Sequence, residues 1–271
     1  MNKLVILIKF NRTDLHLKGG YPTGMRFRKT LARKEWWDNR LKILKDVVFP
    51  SLRQQTFQDF DIVAPFTTDI DRRLSHDLIR FLEGEGVFVC WDDRKLKDFV
   101  EPDEFLRKKY YNKVDNLILL NLDSDDLYHK EAFEELMKVP VVEGQVCIFR
   151  NGYVYDVPTN RLAIYEGVPV APPFFAFTFS NEVLKDKKSW FGYRNKYNLW
   201  VEHPSLGKCK VKHEMPDGLF CYYFHEYNVT SSWENPHHRD KIKELITGDK
   251  KNEVLKNMGI EIKSYPKKSD F

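Results

Sequence analysis

The chain has few cysteines, no long hydrophobic run and no large excess of either charge. Its 271 residues include four cysteines, none in a Cys-x-x-Cys pair, so the sequence indicates neither a zinc site nor a disulfide framework. No segment approaches the roughly 18 consecutive apolar residues of a transmembrane helix. The apolar run at 4–8 is too short for the core of a signal peptide. We therefore expect a cytoplasmic protein without a transmembrane segment.

The near balance of charges argues against two classes of partner. The chain carries 44 basic and 40 acidic side chains, for a net charge of +4, so nucleic acid and strongly anionic membranes are not expected as main partners. Hydrophobic residues make up 42% of the chain, which is enough to bury a substantial core. The oligomeric state is not readable from these quantities.

The hydrophobic pattern divides the chain near Pro140. Before it, short apolar runs alternate with helical patterns, which predicts βαβ units and a mostly parallel sheet flanked by helices. Strands are predicted at 3–10, 60–66, 86–92 and 116–122, and helices within 34–52, 74–82 and 105–111, with Pro50 at the end of the first helix. After it the chain is more irregular and aromatic, with strands predicted at 145–156 and 161–165. Residues 239–271 are predicted as a lysine-rich helical extension.

Three carboxylates follow one of the predicted strands within four positions. The apolar run from 116 ends in Asp123, Ser124, Asp125 and Asp126. Like charges crowded at the carboxyl edge of a sheet repel one another, and a hard divalent metal with oxygen ligands would relieve this repulsion. The alternative is that these acids cap a following helix. A cap accounts for one carboxylate and not for three.

On these residues the chain resembles the nucleotide-sugar-dependent glycosyltransferases of the GT-A fold, whose Asp-x-Asp motif also follows a hydrophobic strand. Further segments resemble a rhamnosyltransferase-like bacterial group: residues 7–11, 50–56 and 122–127, and the His-x-x-Asn segment within 224–230. The resemblance implies a Rossmann-like GT-A sheet with an aromatic carboxyl-terminal half. It also implies a nucleoside-diphosphate sugar as donor, Mn²⁺ or Mg²⁺, and a glycan or other hydroxyl acceptor. Residues 1–238 would form the transferase domain, with 1–140 binding the donor and 141–238 the acceptor.

The resemblance assigns roles to residues of both halves. Asp125 would bind the metal directly, Asp123 would assist or reach the ribose, and His225 would be a late metal ligand, although a hydrogen-bonded core histidine is an equal alternative. The candidates for donor binding are Asn11, Arg12, Asp92, Asp93 and Asp123. Asp92 and Asp93 also fit a solvated turn. Independently of the resemblance, the length, basic charge and glycines of the loop 12–34 predict that it folds over the diphosphate, and a plain solvated loop is an equal alternative.

An inverting transfer needs a carboxylate that deprotonates the acceptor hydroxyl. Asp217 is the first candidate, because a proline precedes it and a glycine follows it, and Glu202 and Glu214 compete with it. Two other functions stay open. A haloacid-dehalogenase-like phosphatase also carries Asp-x-Asp after a strand, and a glycan-binding protein can retain the same scaffold without catalysis.

Overall fold

The computed structural model describes residues 1–10, 33–67, 72–92, 102–143, 145–167, 174–186, 209, 211–226, 228 and 232–261. Twelve strands are found in this part of the chain: β1 Asn2–Lys9, β2 Phe60–Thr67, β3 Phe88–Asp92, β4 Asn116–Asp123, β5 Leu127–Tyr128, β6 Gln145–Phe149, β7 Asn151–Asp156, β8 Arg161–Glu166, β9 Phe174–Ser180, β10 Val211–Glu214, β11 Phe220–Phe224 and β12 Ile242–Ile246.

Helices connect and flank these strands. They are α1 Lys34–Ile43, α2 Phe49–Arg53, α3 Arg72–Gly84, α4 Pro102–Tyr110, α5 Ala132–Lys138, α6 Asn181–Lys185, α7 Pro236–Arg239 and α8 Gly248–Asn257, with a π-helical stretch Leu44–Val48 between α1 and α2. In the part of the chain that the structure describes, no helix combines the length and apolarity needed to cross a bilayer.

The strands form two mixed sheets. The first has the order β10-β6-β9-β4-β1-β2-β3. It is mostly parallel, as predicted, and only β9 runs antiparallel to its neighbours β4 and β6. The second sheet has the order β12-β8-β7-β11-β5, in which only β7 and β11 are parallel. The fold is therefore mixed α/β.

The first sheet is buried on both faces. In β1, Leu4, Ile6 and Ile8 belong to one hydrophobic cluster, while Val5 and Leu7 belong to another on the opposite face. Near-continuous apolar strands of this kind are typical of parallel sheets that are covered by helices on both sides. This explains why the four strands predicted in the first half are confirmed with ends that differ by no more than two residues.

Three details differ from the sequence-based prediction. The strand predicted at 145–156 is two strands, β6 and β7, which lie in different sheets on either side of Arg150. The helical extension contains β12, which pairs with β8 before α8 begins. The helix at 34–52 does not end at Pro50 but continues through Arg53. Pro50 has no N–H to donate within the helix, and the stretch Leu44–Val48 just before it is π-helical.

Candidate functional site

The acidic segment lies where the chain passes from the first sheet to the second. Asp123 is the last residue of β4, and two residues after Asp125 the chain enters β5. The backbone N–H of Asp126 donates to the carbonyl oxygen of Asp123 at 3.1 Å, which closes a tight turn. This turn places the three carboxylates in different surroundings: Asp123 is exposed, Asp125 is partly buried and Asp126 is buried.

Asp125 is the centre of a polar cluster from three distant parts of the chain. Its Oδ2 atom lies 2.8 Å from Nη1 of Arg40, 3.1 Å from Nε2 of His225 and 3.0 Å from Nδ2 of Asn228. Among the described residues, all hydrogen-bond donors to Asp125 lie at Oδ2 and none at Oδ1. The structure thus brings together Asp125 and His225, which the sequence analysis placed in one site although they are 100 residues apart.

Arg40 was not predicted. It lies on α1 and exposes only 5% of its surface, with its guanidinium carbon 4.9 Å from the centre of the Trp36 ring. Its Nη1 atom forms an ion pair with Asp125 at 2.8 Å. A sequence signal does exist: Arg40 shares the buried face of its helix with Trp36 and Trp37. A charged residue on such a face is rarely buried unless it is paired.

His225 and Asn228 follow β11 and hold each other in place. The side-chain oxygen of Asn228 accepts a hydrogen bond from the backbone N–H of His225, while both side chains contact Asp125. Burial lowers the pKa of His225 below its ordinary value, against the opposing effect of Asp125. A neutral imidazole that donates its Nε2 proton to Asp125 is therefore the favoured form. The spacing of the His-x-x-Asn segment therefore has a structural reason: it lets the Asn228 side chain accept a hydrogen bond from the backbone of His225.

Each of the three carboxylates has its own compensation. Burial would raise the pKa of Asp125, but Arg40 and His225 outweigh it and hold that pKa well below its usual range. Burial raises the pKa of Asp126 well above its ordinary value, and Asp125 and Asp123 add to the shift, so the surroundings of this carboxyl group favour its neutral form. Asp123 faces solvent. The repulsion among these carboxylates, from which the sequence predicted a metal, is therefore relieved by their surroundings even without a metal ion.

A divalent ion nevertheless fits part of this cluster. Octahedral ligands at about 2.1 Å from an ion lie about 3 Å from each other, and the 3.1 Å between Asp125 Oδ2 and His225 Nε2 matches that separation. The ion would replace the proton on Nε2, and the imidazole would then carry its proton on Nδ1. Within the described ranges, no group of three His, Cys, Asp or Glu is placed to hold a metal. Two protein ligands suffice where the phosphates of a bound nucleotide supply the others, as is usual for Mg²⁺. The residues present therefore fit a metal that binds together with a diphosphate.

The backbone after the acidic turn is fixed by uncharged side chains. The Ser51 hydroxyl donates to the carbonyl oxygen of Tyr128 at 3.0 Å, and the Gln55 amide donates to the carbonyl oxygens of Tyr128 and His129 at 3.3 and 3.0 Å. The Gln55 side-chain oxygen accepts from the backbone N–H of Phe133 at 3.3 Å. Residues 50–56, which also carry the resemblance, therefore position the end of the segment that begins with the Asp-x-Asp motif.

Two of the residues predicted as the base lie away from the Asp125 cluster. Asp217 is exposed in the turn before β11, whereas His225 follows the other end of that strand, and the five residues of β11 correspond to about 13 Å along the strand. Glu214 ends β10 at the same sheet edge as Asp123 but three strands from β4, or about 14 Å across the sheet, and pairs with Arg150.

Of the remaining predicted site residues, only Asp92 lies in the described part of the chain. Asp92 ends β3 at the same edge, three strands from β4. Asn11, Arg12, Asp93 and Glu202 lie outside the described residues, as does all of the basic loop 12–34 except its last two positions. Their roles stay predictions.

Comparisons with known proteins give solved structures only. No protein-family model matches the chain, and no curated protein matches it. Residues 1–349 of S. aureus TarS are 10% identical with a TM-score of 0.38 and match 82% of this chain. The glycosyltransferase GlyE from Streptococcus pneumoniae is 10% identical with a TM-score of 0.39 and matches 95% of this chain. This chain covers 60% of the length of each of these two structures.

A third similar structure has a different activity. The inositol-1-phosphate CTP transferase from T. maritima is 14% identical with a TM-score of 0.36, and the match covers 81% of this chain and 88% of that one. Scores at this level do not establish a common fold, so we infer the function from the geometry of the chain's own residues.

Proposed function

We propose that the protein is a metal-dependent glycosyltransferase that moves a sugar from a nucleoside-diphosphate sugar to a glycan or other hydroxyl acceptor, akin to the rhamnosyltransferase-like group. The observation that supports this proposal is the meeting of two distant motifs at one atom. Asp125 of the Asp-x-Asp motif receives both His225 and Asn228 of the His-x-x-Asn segment at Oδ2. The two segments resemble the same group of enzymes, and a shared site gives that resemblance a chemical reason.

The edge of the sheet suits a sugar nucleotide. In open α/β sheets, ligands bind outside the carboxyl ends of the strands. Asp123 and Asp125 stand at the carboxyl end of β4, which lies between β1 and β9 in the first sheet. We infer that Asp125 and His225, with Asp123 assisting, hold a Mn²⁺ or Mg²⁺ ion. Such an ion would stabilise the negative charge of the departing diphosphate.

The transfer itself needs few protein groups. The bond between the anomeric carbon and the diphosphate oxygen breaks, the acceptor oxygen forms a bond to the same carbon, and the acceptor proton passes to a base. In our proposal the base is a carboxylate on the acceptor side, with Asp217, Glu214 and Glu202 as the candidates. Among the described residues, neither Asp217 nor Glu214 contacts Asp125, so in this proposal the base acts at a distance from the Asp125 cluster.

One observation favours a second candidate function. Arg40 already neutralises Asp125, and such a site is compatible with a protein that binds a glycan or nucleotide sugar without turning it over. The phosphatase alternative gains no comparable support, because the Asp-x-Asp motif follows the fourth strand of the described part of the chain, whereas that family normally carries it on an early strand. The first and second candidates differ in whether the sugar nucleotide is cleaved.

The test is a panel of nucleoside-diphosphate sugars with Mn²⁺. Thermal shift identifies the donor, because a ligand that binds only the folded state raises the melting temperature, and release of nucleoside diphosphate then measures turnover. We expect Asp125→Asn to lose turnover by on the order of a hundredfold or more. Asp61→Asn, at the opposite end of the sheet, is the matched control and should retain it. Binding without release in the wild type would favour the non-catalytic candidate, and equal release by wild type and Asp125→Asn would contradict the proposed site.

A further inference from the structure

Arg40 places a positive charge inside the cluster that we propose as a metal site. A protein site for a divalent cation normally presents unpaired carboxylates, yet the best-placed carboxylate here has a permanent cation 2.8 Å away. The arginine is not a surface residue that moves away freely. It exposes 5% of its side chain, and Trp36 lies against its guanidinium group. The cation is therefore part of the built site.

The donors on Asp125 leave one oxygen for a ligand. Arg40, His225 and Asn228 all contact Oδ2, while no described residue donates to Oδ1. An ion bound to Asp125, either at Oδ1 or in place of the His225 hydrogen bond at Oδ2, would lie within a few ångströms of Arg40, and two cations at that distance repel each other strongly in a partly buried site. A diphosphate brings several negative charges and offsets this repulsion. The charges of the site thus favour a metal–diphosphate complex over a free metal ion.

Resting on the proposed function, we propose that Arg40 is a resident counter-ion of Asp125 that keeps the affinity for free divalent ions low, so that metal is bound only together with the nucleoside diphosphate. Arg40 is a positioning residue in this proposal and does not touch the reacting atoms. It stabilises the site without ligand, when Asp125 would otherwise be a buried charge without a partner. It also makes the occupancy of the metal site depend on the donor.

Calorimetric titration of the full chain with Mn²⁺ alone tests the proposal without measuring activity. Arg40→Gln removes the charge, whereas Arg40→Lys keeps it. Lys42→Gln removes one charge from an exposed position of the same helix and controls for net charge. We expect Arg40→Gln to bind Mn²⁺ about tenfold or more tightly than the wild type, because repulsion between neighbouring cations is removed. Arg40→Lys and Lys42→Gln should stay close to the wild type. An Arg40→Gln protein with native circular dichroism that binds Mn²⁺ no more tightly than the wild type would overturn the proposal.

A second measurement covers the case in which Arg40→Gln folds poorly. Urea unfolding without metal should show a lowered midpoint for Arg40→Gln, and adding Asp125→Asn to that variant should restore most of the loss, because the buried carboxylate that lost its partner is then neutral. If the two substitutions lower the midpoint additively, Arg40 is not the counter-ion of Asp125 and the proposal is wrong.

The same titrations separate this inference from the proposed function. Mn²⁺ with inorganic pyrophosphate supplies a diphosphate without committing to a base, and the wild type should bind the two together more tightly than Mn²⁺ alone. Wild-type protein that binds Mn²⁺ equally well with and without pyrophosphate would refute the role of Arg40 and leave the transferase proposal standing. A wild type and an Arg40→Gln variant that both fail to bind Mn²⁺ under either condition would refute the metal dependence in both proposals, while the urea experiment would still decide whether Arg40 and Asp125 form a pair.

Discussion

Two ionic clusters lie at opposite ends of the first sheet and differ in how their cations are held. At the carboxyl edge, Asp125 contacts Arg40, whose side chain is 5% exposed. At the amino edge, Asp61 contacts Lys3 and Lys109, whose side chains are 14% and 23% exposed. Lys3 also pairs with Asp59, which is 56% exposed. In the first cluster, Trp36 packs against Arg40, and His225 and Asn228 contact Asp125. The cations of the second cluster remain in contact with water.

The difference in burial changes how much an ion pair contributes to the stability of the fold. Exposed ion pairs contribute little to stability, because water and salt screen them. A buried pair is costly to form and very costly to break, since the remaining partner is left as an unpaired buried charge. Carboxylates whose pKa is perturbed by burial and by a specific charged partner are concentrated at functional sites. The deeper burial of its cation therefore supports our proposal that the Asp125 cluster is the ligand site at this sheet.

The largest effect on stability is expected at the buried pair. Asp125→Ala should lower the free energy of unfolding by about 3–5 kcal/mol, because Arg40 loses its partner inside the protein. Asp123→Ala, two positions away on an exposed side chain, should stay within about 0.5 kcal/mol. Urea unfolding of both variants in low and high salt measures the contrast, and the loss in Asp125→Ala should persist at high salt. Similar small losses in both variants would show that the carboxyl-edge pair behaves like a surface pair.

A second prediction asks whether charge alone holds the carboxyl edge. Gln55 is 3% exposed and makes three hydrogen bonds to the backbone around Tyr128 and Phe133. Gln55→Ala should cost about 2–3 kcal/mol, because buried backbone groups lose their partners. The loss should not depend on salt, since no ion is involved. The exposed Gln58 also bonds backbone carbonyls, and Gln58→Ala should cost less than about 1 kcal/mol. A salt-dependent loss in Gln55→Ala would mean that the neutral contacts and the ion pair act as one unit.

A third prediction concerns the support behind this edge. Gly259 follows α8 with φ +78, and a Cβ atom there would lie 2.7 Å from the Cα atom of Ser51. Gly248 has φ +60 and nothing within 4 Å of a Cβ atom, so Gly248→Ala carries only the backbone cost of about 1 kcal/mol. Gly259→Ala should cost about 2 kcal/mol by thermal unfolding, because Ser51 must also shift. Equal losses in the two variants would show that the contact with Ser51 relaxes freely and that this edge is less rigid than the hydrogen bonds of Ser51 indicate.

The first half of the fold could be predicted because its signals are local. The strands of the first sheet are nearly continuous apolar runs, and burial on both faces gives each run the same meaning wherever it lies in the sheet. The stretch 145–156 has equally good strand character, yet its break at Arg150 depends on which sheet each half joins. That choice is set by β9 and β11, which are distant in sequence. Local pattern carries no information about it.

The same distinction applies to the site. Asp125 and His225 could be paired from the sequence, because both residue types suit a metal and both lie in segments that resemble one group of enzymes. Arg40 could not, because helical spacing indicates that it is buried but not against which charge. Asp217 precedes β11 and His225 follows it, so the length of this strand separates the two residues. The proline and glycine around Asp217 indicate a turn but not this separation.

The smallest expected effect lies at the amino edge and depends on pH. Burial raises the pKa of Asp61, but hydrogen bonds from Lys109 and Tyr110 outweigh it, so the pKa of this carboxyl group lies below its ordinary value. The unfolded chain then takes up the proton first as the pH falls. Asp61 therefore stabilises the fold above the unfolded pKa of about 3.9, and this contribution is lost as the pH falls through the lower, folded pKa. Asp61→Asn should cost less than about 1 kcal/mol at pH 7, since the cluster is partly exposed.

The measurement is the urea midpoint of the wild type and Asp61→Asn at several pH values from 7 to 2. The difference between the two proteins should shrink toward the acidic end, and it should also shrink in high salt, unlike the loss in Asp125→Ala. Asp59→Asn, which removes the exposed neighbour that also contacts Lys3, is the matched control and should change the midpoint least. If Asp61→Asn instead cost as much as Asp125→Ala and kept that cost in high salt, burial of the cation would not be what separates the two clusters, and the case for the carboxyl edge as the ligand site would lose its energetic basis.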